Sequence, residues 1–266
     1  MSFTEHNVNG LIFDTSDAIS AAGGAVHAFT TRHGGVSPAP YDSLNFADNK
    51  GDSSENLLEN YRRLGEAVGF DASRAVGCRQ IHSDLVRIAS EEDAGKILWD
   101  DRPYDADGLI TNVPNLPLFA YGTDCCVITL YDPTSRSIGA VHAGWRGTAS
   151  GIALKAAVSM MSCYGADPYT LRAAIGPSIG KCCFETDSDV ADAFFALLDP
   201  AMDERIEKRG DKYHIDLKAI NRLWLLRAGI DPSRIDVHPD CTKCRPERYW
   251  SHRAMGDQRG GMAAMI

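Results

Sequence analysis

The stretch TDCCVITLYDPTSRSIGAVHAG, Thr123 to Gly144, reads as a β-hairpin, with two apolar runs flanking an Asp-Pro-Thr-Ser turn cluster. If the turn is centred between Pro133 and Thr134, Cys125 lies opposite His142 on the same face, with Cβ atoms about 4.5–5.5 Å apart. A thiolate and an imidazole so placed can hold one metal ion or act as a nucleophile–base pair. A slip of one residue would send one of the two to the opposite face. Downstream, a Gly-Trp-Arg-Gly turn follows His142, and a helix is expected from Ser150 to about Tyr164.

Working outward, AVHAFTTR (25–32) reads as a strand that ends in a Gly/Pro/Ser-rich loop. Residues 53–69 have helical spacing, with Leu57, Leu58, Tyr61, Leu64 and Val68 on one face, Ser54 as cap and Gly69 as stop. Two short strands are expected around the polar RQIHSD within 74–90, and at least three strands over 106–145. Another strand and a Gly/Pro loop fall in 171–187, and helices over 188–198 and 216–230. Strands thus come both in meanders and in alternation with helices. That mixture predicts an α+β fold with a mixed sheet rather than a doubly wound parallel sheet. No repeat or linker interrupts the 266 residues, so one domain spanning 1–266 is expected.

Composition narrows the function. A net charge of −9 without a basic block argues against nucleic acid as a partner, while leaving room for a local pocket that binds one phosphate. The longest apolar windows are broken by polar residues, so no membrane span is expected. The opening MSFTEHNVNGLIFD lacks a basic region followed by an apolar stretch, which predicts a cytoplasmic protein. Its eight cysteines include two adjacent pairs and no small-domain disulfide framework. In a reducing compartment these are buried hydrophobes, metal ligands or nucleophiles.

A metal held by Cys125 and His142 needs a third protein ligand. His82, inside the polar interruption RQIHSD, is the best candidate, with a hydrogen-bonded structural histidine as the alternative. Three N/S ligands plus an open position is the pattern of a catalytic zinc.

The motifs TTRHGGVSPAPYDSLNFA, QIHSD, DADGLIT, TDCCVITL, VHAGWRG and IGPSIGKCCFE, in this order, resemble those of the YfiH family. Its members are described as laccase-like multicopper polyphenol oxidases and as purine nucleoside phosphorylases with adenosine deaminase activity. The match runs from about Thr30 to the C-terminal WSHRAMGDQRGGMAAMI. The resemblance implies a layered α/β/β/α single domain and a zinc held by His82, Cys125 and His142. Two departures stand out: Ser83 where the family usually has glycine, and SHRA (Ser251–Ala254) where it has SYRR.

Further roles follow around this core. Asp124 is a candidate to hydrogen-bond a ligand histidine or assist proton transfer, or else to satisfy nearby backbone. Arg146, before a helix start, is a candidate catalytic and phosphate-binding residue, the alternative being an arginine stacked on Trp145. Arg32, in a loop belonging to the family motifs, is expected to bind substrate or phosphate. Cys182 or Cys183 could line the pocket. Cys241 and Cys244 form one C-x-x-C that would need two further ligands, for which His238 and His252 are near in sequence.

The expected activity is zinc-dependent phosphorolysis of purine nucleosides, with adenosine deamination as a second activity and small-molecule nucleoside and phosphate as partners. The protein is expected to be a monomer or homodimer. The rivals are a copper-dependent polyphenol oxidase, for which copper replaces zinc, and a non-catalytic metal-binding module. The chain has eight histidines and none in an H-x-H pair, which disfavours a multicopper oxidase.

Overall fold

The computed structural model describes residues 2–266. The hairpin forms, but with its turn one residue further on than expected. Asp132 closes on Ser137, Val127 faces His142 and Cys126 faces Ala143. Every cross-strand partner is therefore displaced by two. Because side chains alternate with period two, an even shift leaves each residue on its face. Cys125, just ahead of the strand Cys126–Asp132, stays on the side of His142.

This hairpin is the centre of a six-stranded sheet in the order Ile235–Val237, Arg172–Ile175, Cys126–Asp132, Ser137–Ala143, Gly108–Thr111, Val86–Ile88. The inner pairings are antiparallel and the two outermost are parallel. The continuous apolar runs of the hairpin reflect burial on both faces. Ile128, Leu130 and Val141 point one way, against the helices Ile152–Tyr164, Ser188–Phe195 and Leu217–Arg227. Val127, Tyr131 and Ala140 point the other way, against Phe29, Ala120 and Ala264.

Those last three belong to a second, antiparallel sheet, in the order Phe3–Val8, Leu11–Ser16, Ala28–Thr30, Met262–Met265, Phe119–Gly122. Its outer face carries the helix Ser54–Val68, whose Tyr61 and Leu64 pack with Phe13, Phe119 and Met265. Three cores thus separate helix, sheet, sheet and helices, which is the expected α/β/β/α layering of an α+β domain. A small three-stranded sheet (Glu185–Thr186, Lys212–Ile215, Ile206–Arg209) completes the strands. No helix among the described residues is long and apolar enough to cross a membrane.

Local details correct several expected boundaries. The cap of the helix Ser54–Val68 is Ser53, whose side chain accepts the Asn56 N–H, while Gly69 ends it at φ 94° as expected. The Gly-Trp-Arg-Gly segment is not a turn but enters a short helix, Trp145–Ala149, and the helix expected from Ser150 begins at Ile152, after Gly151 at φ 73°. Only one regular strand, Val86–Ile88, forms within 74–90, because RQIHSD is held by side chains rather than by a ladder.

One buried histidine makes the fold acid-sensitive. His27 accepts the Ser16 backbone N–H at Nε2 (2.7 Å) and is 3% exposed, so it must be neutral. Burial holds its pKa down to about 4. A histidine depressed on folding leaves stability intact above its unfolded pKa, near 6.5, and removes it as pH falls from there towards 4. The full loss is about 3 kcal/mol. Urea denaturation at pH 7 and pH 4 should show this loss on top of the carboxylate contribution. His27→Gln, whose side-chain oxygen can accept the same N–H, should lack it. Equal acid sensitivity in both proteins would contradict the assignment.

Candidate metal and substrate site

His142 is the last but one residue of the strand Ser137–Ala143 and is 3% exposed. The neighbouring strand pairs Gly108 with Val141, so the same register carried one residue further sets Asp107 opposite His142. The His142 backbone N–H donates to the Asp107 carbonyl (2.7 Å), and its Nδ1 lies 2.8 Å from Asp107 Oδ1. An ionised carboxylate can only accept, so Nδ1 carries the proton and Nε2 is left free to coordinate.

The same carboxylate organises His82. It accepts the backbone N–H groups of Ile81 (3.3 Å), His82 (3.1 Å) and Ser83 (2.6 Å), and the Ser83 hydroxyl (2.7 Å). These contacts hold His82 at φ 59°, a conformation uncommon for a residue with a Cβ. Gln80 ties the loop to the second sheet, its amide donating to the Tyr121 carbonyl (2.8 Å) and accepting the Tyr121 N–H (2.7 Å). Asp107 falls within the DADGLIT motif, yet no role attached to it from sequence. Its signal was the strand register, which places it beside His142.

His82, Cys125 and His142 offer ligand atoms that all lie within 4.8 Å of one another. The two rings meet edge to face at 4.9 Å. A Cβ on Gly144 would lie 3.0 Å from His82 Cδ2 and 3.4 Å from both Cys125 Sγ and His142 Cε1. Glycine is what leaves room for the three side chains at this point. Burial opposes ionisation of Cys125, but His142 and His82 outweigh it and hold the thiol down to about 6. Burial likewise opposes charge on His142, but the Cys125 sulfur and Asp107 outweigh it and push the imidazole up to about 9. A sulfur already favouring its anionic form, two imidazoles and a carboxylate behind one of them make a donor set that fits zinc or copper.

The trio lines a cleft of about 270 Å³. Phe46 and Trp99 supply aromatic walls, and Asp48 and Asn49 supply hydrogen-bonding groups. Lys50, Arg102 and Arg259 supply positive charge. Arg102 is committed to Asp48 (2.6 Å) and to the Ile97 carbonyl (2.8 Å). Burial dominates Asp48 and raises its pKa, with Arg102 offsetting only part of the effect. Arg259 differs from Arg102: its Nε is buried with no hydrogen-bond partner among the described residues.

The other expected site residues lie elsewhere. Arg146 is exposed and does not line the cleft; its guanidinium lies 4.2 Å over the Trp145 ring. Arg32 also stays out of the lining. It stacks 3.9 Å over Trp250 and donates to the carbonyls of Pro246 (3.0 Å) and Asp42 (3.0 Å). Asp124, at φ 78°, turns its carboxylate away from the trio, accepting the Thr242 hydroxyl (2.6 Å) and the Arg253 N–H (2.7 Å). The cleft residues Lys50, Trp99 and Arg259 were missed because they come from three loops that nothing local in the sequence brings together.

Comparison with known proteins agrees with this architecture. Residues 26–266 match the family described as multi-copper polyphenol oxidoreductase laccase. The chain is 36% identical over 246 residues to the purine nucleoside phosphorylase YlmD of Geobacillus stearothermophilus, covering 91% of this chain and 90% of that protein. It is 34% identical over 244 residues to the adenosine deaminase RL5 of an unknown prokaryotic organism, covering 88% and 91%. The crystal structure of the hypothetical protein YfiH from Bacillus licheniformis superposes with a TM-score of 0.90 at 30% identity, covering 99% of this chain and 97% of that one.

Proposed function

The chain belongs to the laccase-like YfiH family, and we propose that within it this protein is a zinc-dependent purine nucleoside phosphorylase with adenosine deaminase activity at the same site. Purine nucleoside chemistry is what the names of its relatives have in common. The observation that carries the reading is the combination, in one cleft, of the His82–Cys125–His142 trio with aromatic walls and an arginine whose Nε has no hydrogen-bond partner among the described residues.

The roles follow from placement. A zinc ion held by the trio would supply Lewis acidity within the cleft. Trp99 offers a face for a purine, and Asn49 offers both a donor and an acceptor for its edge or for the ribose. Arg259 and Lys50, rather than Arg146 and Arg32, are the cations positioned to hold phosphate. A phosphate oxygen bonds to ribose C1′ as the bond to the purine nitrogen breaks, through an oxocarbenium-like state. The proton that the phosphate gives up passes to the purine nitrogen, and free base and ribose 1-phosphate leave. Asp48 is the one carboxylate among the described lining residues, and its raised pKa suits it to pass a proton in either reaction.

A copper oxidase is the weaker reading. Among the described residues, the groups with metal-ligand spacing are this trio and a cluster of four cysteines. Neither supplies the additional histidines of a multicopper centre. The test is incubation of the metal-analysed protein with adenosine, with and without phosphate. Phosphate-dependent release of adenine is expected. Zinc-replete protein that yields neither adenine nor inosine sinks the proposal, and phenol oxidation that scales with bound copper would favour the rival.

A further inference from the structure

Cys182, Cys183, Cys241 and Cys244 converge outside the cleft, their four sulfurs all within 4.8 Å of one another. They come from two tight turns on separate segments. In the first, Cys183 N–H donates to the Gly180 carbonyl (2.9 Å); in the second, Cys244 N–H donates to the Cys241 carbonyl (3.1 Å). Ser178 and Cys241 bridge the two segments, and Thr242 N–H donates to the Ser178 carbonyl (3.1 Å). Two cysteine-bearing turns facing each other across such a bridge can supply the four sulfur ligands of a structural zinc site. His238 and His252, near in sequence, are engaged elsewhere, with Asp14 (3.4 Å) and Asp257 (3.7 Å).

The spacing discriminates between the fates open to four thiols. A zinc ion with sulfur ligands at about 2.3 Å in a tetrahedron holds those sulfurs about 3.8 Å apart. Cys182 and Cys244 sulfurs are 3.7 Å apart, and those of Cys183 and Cys244 are 3.4 Å apart. Cys244 is thus nearly equidistant from two thiols, whereas a disulfide would select one. Gly180 completes the site. Its N–H donates to Cys241 Sγ (3.2 Å), and a Cβ there would press to 3.2 Å from Cys182 Sγ.

We propose that these four cysteines bind one zinc ion as a structural clip, distinct from the His82–Cys125–His142 trio. The clip joins segments about 60 residues apart in sequence, as the separation of Gly180 and Cys241 shows. It also backs the trio. Thr242, next to Cys241, donates to Asp124, and the Cys126 thiol contacts the Ser178 hydroxyl (3.3 Å). The proposal does not depend on the nucleoside reading.

The test is metal analysis of the full chain purified without oxygen, followed by replacement of zinc with cobalt. Zinc beyond whatever Cys125→Ala removes is expected. The cobalt protein should show the strong near-ultraviolet charge-transfer absorption of several cobalt–thiolate bonds, retained in Cys125→Ala and lost in Cys182→Ser and Cys244→Ser. The serine variants should also melt at lower temperature. Because the unaltered chain provides the metal count and the cobalt spectrum, a variant that fails to fold leaves the test intact. Metal content no greater than the trio accounts for, a cobalt spectrum no stronger than one thiolate gives, iron in place of zinc, or a disulfide of Cys244 in the anaerobic protein would each overturn the proposal.

Discussion

Cys125→Ala is expected to abolish turnover and to strip the metal from the trio, while Asp107→Asn is expected to reduce both metal affinity and turnover by about 10–100-fold. The first change removes the single anionic donor. It leaves His82, which is exposed at the cleft surface, and His142 to hold the ion alone. The second leaves all three ligands in place. Its cost arises because one carboxylate accepts from Ile81, His82, Ser83 and His142 together. An asparagine offers one oxygen and sets an NH2 group against the remaining donors. The left-handed backbone of His82 then loses the contacts that hold it, and the His142 tautomer is no longer enforced. Metal stoichiometry and single-turnover adenine release on both variants check the pair. An Asp107→Asn protein with unchanged zinc affinity would show that the carboxylate is only a packing element.

The convergence of Cys125 and His142 is legible in the sequence because the one difference in hairpin register leaves it intact. The turn was set one residue too early, but an even shift of partners keeps Cys125 and His142 on one side of the sheet. The α+β class was readable from the mixture of meanders and helices. The hairpins Phe3–Ser16 and Ile206–Ile215 were missed. In each, one strand, Phe3–Val8 or Ile206–Arg209, carries charged and polar residues at most positions, since much of it faces water. The two predicted anion-binding arginines illustrate a different limit. Arg32 and Arg146 each precede or follow glycines in chemically suggestive loops, but each guanidinium is laid over a tryptophan. Arginine beside an aromatic residue has two satisfactory environments, and only the tertiary structure decides between them. Conversely, Arg259 lies in a segment of glycines and polar residues whose approach to Cys125 depends on the C-terminal strand Met262–Met265 entering the middle of the second sheet.

Trp250→Ala is expected to destabilise the protein by about 3–5 kcal/mol, the range for deleting a buried large aromatic side chain. Trp250 is 1% exposed, and its Nε1–H donates to the Leu44 carbonyl (2.9 Å). Truncation therefore leaves a cavity and orphans that carbonyl, and it removes the ring beneath Arg32 as well. The damage should reach the cleft by a short path. Gly260 lies so close to the Trp250 ring that a Cβ on it would be 2.7 Å from Cε2, and Arg259 immediately precedes it. Gly261, next along, is fixed by the Asn45 side chain (2.9 Å) and by its carbonyl accepting from Phe46 N–H (3.0 Å). Emptying the tryptophan site frees this wall, so Arg259 loses its fixed position at the cleft. If Arg259 holds phosphate, KM for phosphate should rise more than KM for nucleoside in the Trp250→Ala protein. Arg32→Met, which removes a cation outside the cleft, should cost stability with little change in either constant. Urea denaturation and steady-state kinetics on the two variants separate the roles. A selective rise in the phosphate KM of Arg32→Met would return phosphate binding to Arg32 and take it from Arg259.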